Sequence, residues 1–144
     1  MKIYVINGPS LNMLGIREPE HYGATSYEGL CNKIKTFAND AGVEVVLYQS
    51  NHEGDLIDKI HEAYFEKADG IVINPGGYTH TSIALLDALK AVSIPTVEVH
   101  ISKLDEREQF RRISFISHAV VNRIIGHGLD GYTEAIEYLI KDKK

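Results

Sequence analysis

The chain has 144 residues, of which 44% are hydrophobic and 24% are charged, as is usual for a soluble globular protein. A chain of this length is expected to form one domain, residues 1–144, with a substantial core. Its net charge of −5 disfavours a general nucleic-acid binder, its single Cys31 excludes an internal disulfide, and no apolar run is long enough to span a bilayer. We therefore expect a cytoplasmic protein that binds neither nucleic acid nor membrane.

Apolar runs typical of strands alternate along the chain with patterns typical of amphipathic helices. The predicted strands are residues 2–7, 43–48, 70–74, 96–100 and 119–125. The predicted helices are residues 26–41, 54–67, 82–92 and 132–141. Runs such as Ile71-Val72-Ile73 are uniformly apolar, as expected where helices cover both faces of a parallel sheet. The pattern predicts an α/β three-layer sandwich with a five-stranded parallel sheet in flavodoxin-like order.

The connection between the first strand and the first helix, residues 8–25, exceeds the roughly 2–6 residues usual for such a loop. Long connections can act as lids that close over a substrate and exclude water. Tyr22 alone would be an ordinary loop aromatic, but Arg17 lies close to it in the sequence. A phenol has a pKa near 10, and lowering it by about three units requires roughly 4 kcal/mol. Arginines in a closed site favour the phenolate, so Tyr22 is a candidate base.

The fourth predicted strand ends in two ionisable residues, Glu98 and His100. Strand side chains alternate between faces, so these two side chains point the same way. A charge on such a buried strand is costly unless it is paired. A carboxylate beside an imidazole fixes the tautomer of the ring and raises its basicity, which suits a general acid or base.

In open α/β sheets, ligands bind beyond the carboxyl ends of the strands. This rule brings Asn74, His80, His100 and Ser102 to one edge of the predicted sheet. His80 precedes a helix, whose free N–H groups favour anions, but it could equally be a solvated residue while Thr79, Thr81 or Ser82 caps the helix. Its place on the same edge as His100 favours the functional interpretation.

Two further patterns have a structural and a functional interpretation. Arg107 and Arg111 lie four residues apart, so they form either a solvated basic face or an anion-attracting one. Residues 126–131 match the dinucleotide pattern G-x-G-x-x-G, but too little chain follows for the strand that carries a ribose-binding acid. We interpret these glycines as a tight turn that packs closely against a helix.

With these residues assembled, the chain resembles a type II 3-dehydroquinate dehydratase over nearly its whole length. The motifs that carry the resemblance are Asn7-Gly8-Pro9, Leu14-Gly15-Ile16-Arg17-Glu18-Pro19, Tyr22-Gly23, Gln49-Ser50-Asn51, Asn74-Pro75-Gly76-Gly77-Tyr78-Thr79-His80-Thr81-Ser82, Glu98-Val99-His100-Ile101-Ser102, and Arg107 with Arg111. The resemblance implies a shikimate-pathway lyase that converts 3-dehydroquinate to 3-dehydroshikimate and water, without a metal or an organic cofactor. The unrelated type I enzymes use a lysine Schiff base instead.

The resemblance also implies a mechanism, an anti elimination through an enolate. Tyr22, as phenolate, would take the proton alpha to the ketone. Arg17 would lower the pKa of Tyr22 and stabilise the developing charge. His100, oriented by Glu98, would protonate the leaving hydroxyl group.

Other positions match residues that hold the substrate or join subunits in this family. Asn74, His80 and Arg111 would bind substrate hydroxyl groups, and the backbone at Ile101 and Ser102 would receive the carboxylate. Asp87 would reach the site of a neighbouring subunit, and Arg107 belongs to the same basic segment as Arg111. The resemblance implies a homo-oligomer built from trimers, packed into a dodecamer.

One residue departs from the family pattern, because Ser10 stands where the family usually has an asparagine. A serine side chain is shorter and offers one donor instead of two. Losing one such hydrogen bond in the transition state would cost about 3 kcal/mol, or about a hundredfold in rate. We expect an intact fold and intact substrate binding with reduced turnover. The alternatives are a homologue that binds without turning over and, in another class, a flavodoxin-like module that binds a phosphate or a flavin.

Overall fold

A computed structural model describes residues 1–16 and 25–143 of the chain. Its five strands form one parallel sheet in the order β2-β1-β3-β4-β5. The strands are β1 (Lys2–Asn7), β2 (Glu44–Gln49), β3 (Gly70–Asn74), β4 (Thr96–His100) and β5 (Asn122–Ile125). This is the flavodoxin-like order, so the predicted fold class is confirmed.

Two helices cover each face of the sheet. The helices are α1 (Tyr27–Ala41), α2 (Glu53–Phe65), α3 (Ile83–Val92) and α4 (Asp130–Lys143). Helices α1 and α4 pack with Ile3, Val5 and Val72 in one core, while α2 and α3 pack with Ile6 and Ile73 in the other. Successive strand residues enter opposite cores because strand side chains alternate between faces. The three layers follow from this alternation.

The predicted strands and helices differ from the observed ones mainly at their ends. The strand predicted at residues 119–125 begins only at Asn122, because Ile116–Ala119 form a short 3-10 turn. The helix predicted at residues 54–67 ends at Phe65, and Lys67 adopts a φ of 58° that no helix residue can have. The helix predicted at residues 132–141 begins earlier, at Asp130. These shifts leave the layers and the strand order unchanged.

Candidate active site

A cavity of about 220 Å³ lies beyond the carboxyl ends of β1, β3 and β4. This is where ligands bind in open parallel sheets. The cavity brings together eight of the residues singled out in the sequence, namely Ser10, Asn74, His80, His100, Ile101, Ser102, Arg107 and Arg111. Its wall combines two imidazoles and two guanidinium groups with small polar side chains, so it suits a small polar anion.

A buried carboxylate–imidazole pair adjoins this cavity, and its His100 is one of the lining residues. Glu98 is 0% exposed and His100 is 5% exposed, and their Oε2 and Nε2 atoms are 2.5 Å apart. Both side chains point to the same face of β4, as their spacing in the strand requires. A carboxylate can only accept from a neutral or charged imidazole, so Nε2 carries a proton. The other ring nitrogen, Nδ1, is then free to exchange a proton elsewhere.

Three further donors surround the carboxylate of Glu98. Ser114 Oγ donates to Oε2 at 2.9 Å, Arg123 Nε donates to Oε1 at 3.0 Å, and Arg123 Nη2 donates to Oε2 at 3.3 Å. Burial alone would raise the pKa of Glu98, but the hydrogen bonds and charges of His100 and Arg123 outweigh it and lower that pKa below its usual value. Glu98 is therefore a buried anion whose charge is compensated.

His80 enters the cavity from a short 3-10 helix, Gly76–His80, that follows β3. Its Nδ1 lies 2.6 Å from the backbone oxygen of Ile113, which can only accept, so Nδ1 is the donor in this bond. Partial burial lowers the pKa of His80, and the nearby His100 and Arg111 act in the same direction. A neutral His80 with this tautomer leaves Nε2 as an acceptor for a hydroxyl group.

Asn74 is held from behind by a second buried cluster. Its Nδ2 donates to the hydroxyl of Tyr132 at 3.0 Å, and that hydroxyl donates to Asn7 Oδ1 at 2.6 Å. The Oδ1 of Asn74 accepts from the backbone N–H of Gly76 at 3.1 Å. These bonds fix the orientation of the Asn74 side-chain amide, so its second Nδ2 hydrogen points in a defined direction.

The loop after β1 approaches the loop after β3 very closely. A Cβ added to Gly8 would lie 2.3 Å from the backbone oxygen of Pro75, so only glycine fits there. Two residues later, Ser10 has a φ of 68°, and its backbone N–H donates to Asn51 Oδ1 at 3.0 Å. Residues other than glycine adopt this left-handed conformation uncommonly, and asparagine does so several times more readily than most. The backbone at position 10 thus suits an asparagine better than the serine present.

The remaining cavity residues come from the segment after β4. Arg107 Nη1 donates to Ser102 Oγ at 3.3 Å, and Arg111 pairs with Glu108. The backbone N–H groups of Gly126 and Gly128 donate to the oxygens of His100 (3.0 Å) and Ile101 (3.2 Å). The glycine-rich turn therefore holds the end of β4 in place, in agreement with its interpretation as a structural turn.

The comparison with known proteins agrees with this arrangement. Residues 1–140 match the family model described as dehydroquinase class II. The chain is 55% identical over 141 residues to a 3-dehydroquinate dehydratase of Caldicellulosiruptor bescii, covering 98% of this chain and 97% of the relative. The chain belongs to the dehydroquinase class II family.

Solved structures of the family superpose closely on this chain. The type II dehydroquinase of Butyrivibrio crossotus has a TM-score of 0.96 at 56% identity, with 97% of each chain covered. That of Propionibacterium acnes has a TM-score of 0.94 at 38% identity, covering 98% of this chain and 97% of the other. The predicted family and the predicted dehydratase activity are both confirmed.

Two of the predicted residues lie outside the part of the chain that the structure describes, and a third lies away from the cavity. Arg17 and Tyr22 lie outside the described residues, so their predicted roles stay predictions. Asp87 lies on the exposed face of α3. Its predicted role, which is to reach a neighbouring subunit, concerns a second copy of the chain and also stays a prediction.

Sequence reasoning missed three residues that support the site, namely Arg123, Ser114 and Tyr132. Arg123 lay in a predicted strand, and placing that strand beside β4 would have set it next to Glu98. Ser114 and Tyr132 carry no local signal, because each reaches the site from a segment distant in the sequence.

Two general features of the described residues concern other kinds of site. Within residues 1–16 and 25–143, no helix combines the length and the apolar content needed to cross a membrane. The same part of the chain brings together no group of three or more His, Cys, Asp or Glu side chains suited to a metal ion.

Proposed function

We propose that this member of the dehydroquinase class II family removes water from 3-dehydroquinate by general acid catalysis from His100. The observation that carries the proposal is the buried Glu98–His100 pair, whose imidazole lines a small, polar cavity together with two arginines. Glu98 holds Nε2 of the ring, which leaves Nδ1 to deliver a proton to a departing hydroxyl group. When the ring gives up its proton, the buried charge of Glu98 stays compensated by Arg123.

The base in this proposal is the phenolate of Tyr22, which takes the proton alpha to the ketone. Arg17, five residues earlier in the chain, favours the phenolate and the developing enolate. Base and acid then act on opposite faces of the substrate ring, which gives an anti elimination. The reaction so written needs no metal and no organic cofactor.

The cavity residues divide the work of holding the substrate. The Nδ2 hydrogen of Asn74 and the Nε2 acceptor of His80 suit hydroxyl groups of the ring, and Arg111 adds a third polar contact. The backbone N–H groups of Ile101 and Ser102 receive the substrate carboxylate, with Arg107 close by.

The proposal extends to the assembly and the location of the protein. Residues 1–144 form one catalytic domain, and the domains assemble as trimers packed into a dodecamer. Asp87, on the exposed face of α3, then completes the site of a neighbouring subunit. The enzyme acts in the cytoplasm.

Replacing the proposed base tests the reaction. Tyr22→Phe removes the phenol, so we expect loss of the ultraviolet absorbance that the conjugated product generates from 3-dehydroquinate, with unchanged thermal unfolding. The control is Tyr64→Phe, which alters a phenol that is 55% exposed outside the cavity and should leave the rate as it was. A Tyr22→Phe protein that turns over at the native rate refutes the proposed base.

The serine at position 10 gives a second test. Ser10→Asn should raise kcat by up to about a hundredfold, because an amide supplies the transition-state hydrogen bond that the shorter hydroxyl does not make. It should also stabilise the fold slightly, because asparagine tolerates the φ of 68°.

Ser93→Asn is the matched control for the backbone effect. Ser93 ends α3 with a φ of 54° and lies outside the cavity, so its replacement should affect stability alone. If Ser10→Asn gains stability as Ser93→Asn does but no turnover, the role given to position 10 is wrong.

A further inference from the structure

Arg123 binds Glu98 of the Glu98–His100 pair and is not among the residues that line the cavity. It belongs to β5, and the strand register sets it directly beside Glu98 of β4. Its guanidinium binds both carboxylate oxygens, through Nε at 3.0 Å and Nη2 at 3.3 Å. Its own side chain is about one third exposed (35%), while that of Glu98 is fully buried (0%). Arg123 therefore contacts a fully buried anion while part of its own side chain stays in solvent.

The carboxylate of Glu98 is held in its ionised form by the donors around it. Its Oε2 accepts from His100, Ser114 and Nη2 of Arg123, and its Oε1 accepts from Nε of Arg123, so four donors and the charge of Arg123 stabilise the ionised form. The proton that the pair exchanges therefore resides on the ring of His100. Any group that changes the charge around Glu98 changes how tightly that proton is held.

The summed charge of Arg123, Glu98 and His100 shows in which direction Arg123 changes the acidity of His100. With Arg123 present, loss of the proton from His100 leaves Arg⁺ and Glu⁻, which is neutral overall. Without the positive charge, the same loss leaves one uncompensated carboxylate in a fully buried position, which is strongly unfavourable. Removing the charge of Arg123 thus makes His100 hold its proton more tightly and makes it a weaker acid.

We infer that Arg123 is a positioning residue for the dehydration, which acts through Glu98 to make His100 release its proton readily. This inference rests on the proposed role of His100 as the acid. Arg123 is not among the residues that line the cavity, so its effect reaches the substrate only through the pair.

Other charged groups face His100 and must be kept constant. His80 interacts electrostatically with His100 and with Arg111, and Arg107 lines the same cavity. The variants below replace none of these residues. A change in the titration of His100 can therefore be assigned to the replacement of Arg123.

Two variants at this position separate charge from hydrogen bonding. Arg123→Gln keeps one donor to Glu98 without a charge, while Arg123→Lys keeps one donor with the charge. Arg112→Gln is the control on the same surface, because Arg112 lines the outer groove beside Arg123 but donates to the backbone oxygen of Asp105. Both Arg123 variants should fold, since each retains a partner for Glu98, and thermal unfolding checks this.

The first measurement is the titration of His100 by ¹⁵N NMR in the ligand-free protein. We expect Arg123→Gln to raise its midpoint by about one unit, since Arg123 carries the same charge as the protonated ring and a nearby like charge disfavours that protonated form. Arg123→Lys should move it much less, and Arg112→Gln should leave it in place. A midpoint unchanged in Arg123→Gln, or moved equally by the lysine variant, overturns the inference.

The second measurement is the pH dependence of kcat for 3-dehydroquinate. Arg123→Gln should move the alkaline limb to higher pH and lower kcat near neutrality by about three- to tenfold, with KM changed less than about twofold. An equal loss in the lysine variant, with the limb unmoved, would show a merely structural role and refute the inference. If the His100 midpoint moves as expected but the native protein lacks dehydratase activity, the charge coupling holds and the proposed function fails.

Discussion

Two buried polar clusters lie under the same cavity, and they are built from different chemistry. The ionic cluster consists of Glu98, His100, Ser114 and Arg123, and it joins β4 to β5. The amide cluster consists of Asn7, Asn74 and Tyr132, and it joins β1 and β3 to α4. Members of both clusters are almost completely buried, apart from the exposed side of Arg123.

The difference between the clusters lies in whether a proton can move. In the ionic cluster a carboxylate meets an imidazole, a ring that can both take up and release a proton. In the amide cluster the only titratable group is Tyr132, and burial raises its pKa well above the usual value for a phenol. One cluster is thus suited to proton transfer and the other to holding Asn74 in a single orientation. Substitutions in each should affect different kinetic quantities.

The largest effect is expected from Glu98→Gln in the ionic cluster. The neutral amide no longer stabilises a protonated His100, so kcat should fall by about a hundredfold while KM changes little. The control is Glu134→Gln, which alters the exposed pair formed by Glu134 and His127 at 2.6 Å and should leave kcat unchanged. If Glu98→Gln instead raises KM and leaves kcat unchanged, the ionic cluster serves substrate binding and not proton transfer.

The same variant should also change how stability depends on pH. Because the folded-state pKa of Glu98 lies below its ordinary 4.5, its stabilising contribution is complete above that pH. The contribution is lost as the pH falls through the lower, folded-state pKa. Between pH 6 and pH 3, the free energy of unfolding measured with urea should therefore fall more steeply for the native protein than for Glu98→Gln. Equal slopes would mean that Glu98 is not a stabilised anion.

A smaller effect is expected from Tyr132→Phe in the amide cluster. The change leaves Asn7 and Asn74 without the hydroxyl they share, which should lower the free energy of unfolding by about 1–3 kcal/mol. Because Asn74 loses its fixed orientation, KM should rise and the pH profile should not move. Chemical unfolding and steady-state kinetics measure the two effects.

Tyr4→Phe is the matched control for that loss. Tyr4 is equally buried, but its hydroxyl donates at 2.8 Å to Glu62, a partly exposed carboxylate that water can reach. Its loss should cost less than about 1 kcal/mol and leave KM unchanged. If both variants lose the same stability and keep the same KM, the amide cluster has no special connection to the substrate.

The parts of the site that sequence predicted are those in which chemistry and local geometry coincide. Glu98 and His100 are two residues apart on a strand, so alternation alone set them on one face. Asn74, His80 and Ser102 follow the ends of predicted strands, and the rule for open sheets brought them to one edge. Their roles in catalysis, like those of Tyr22 and Arg17, remain predictions that the experiments above test.

The sequence by itself determined the layers and the Glu98–His100 pair of this protein, because hydrophobic period and strand alternation act over a few neighbouring residues. The alternation of strands and helices along the chain predicted the strand order. Only the tertiary structure decided that Arg123 binds Glu98 from the neighbouring strand and that Tyr132, 58 positions away, holds Asn74. Such contacts depend on which strands become neighbours and on where a helix packs, and both arise from packing of the whole chain.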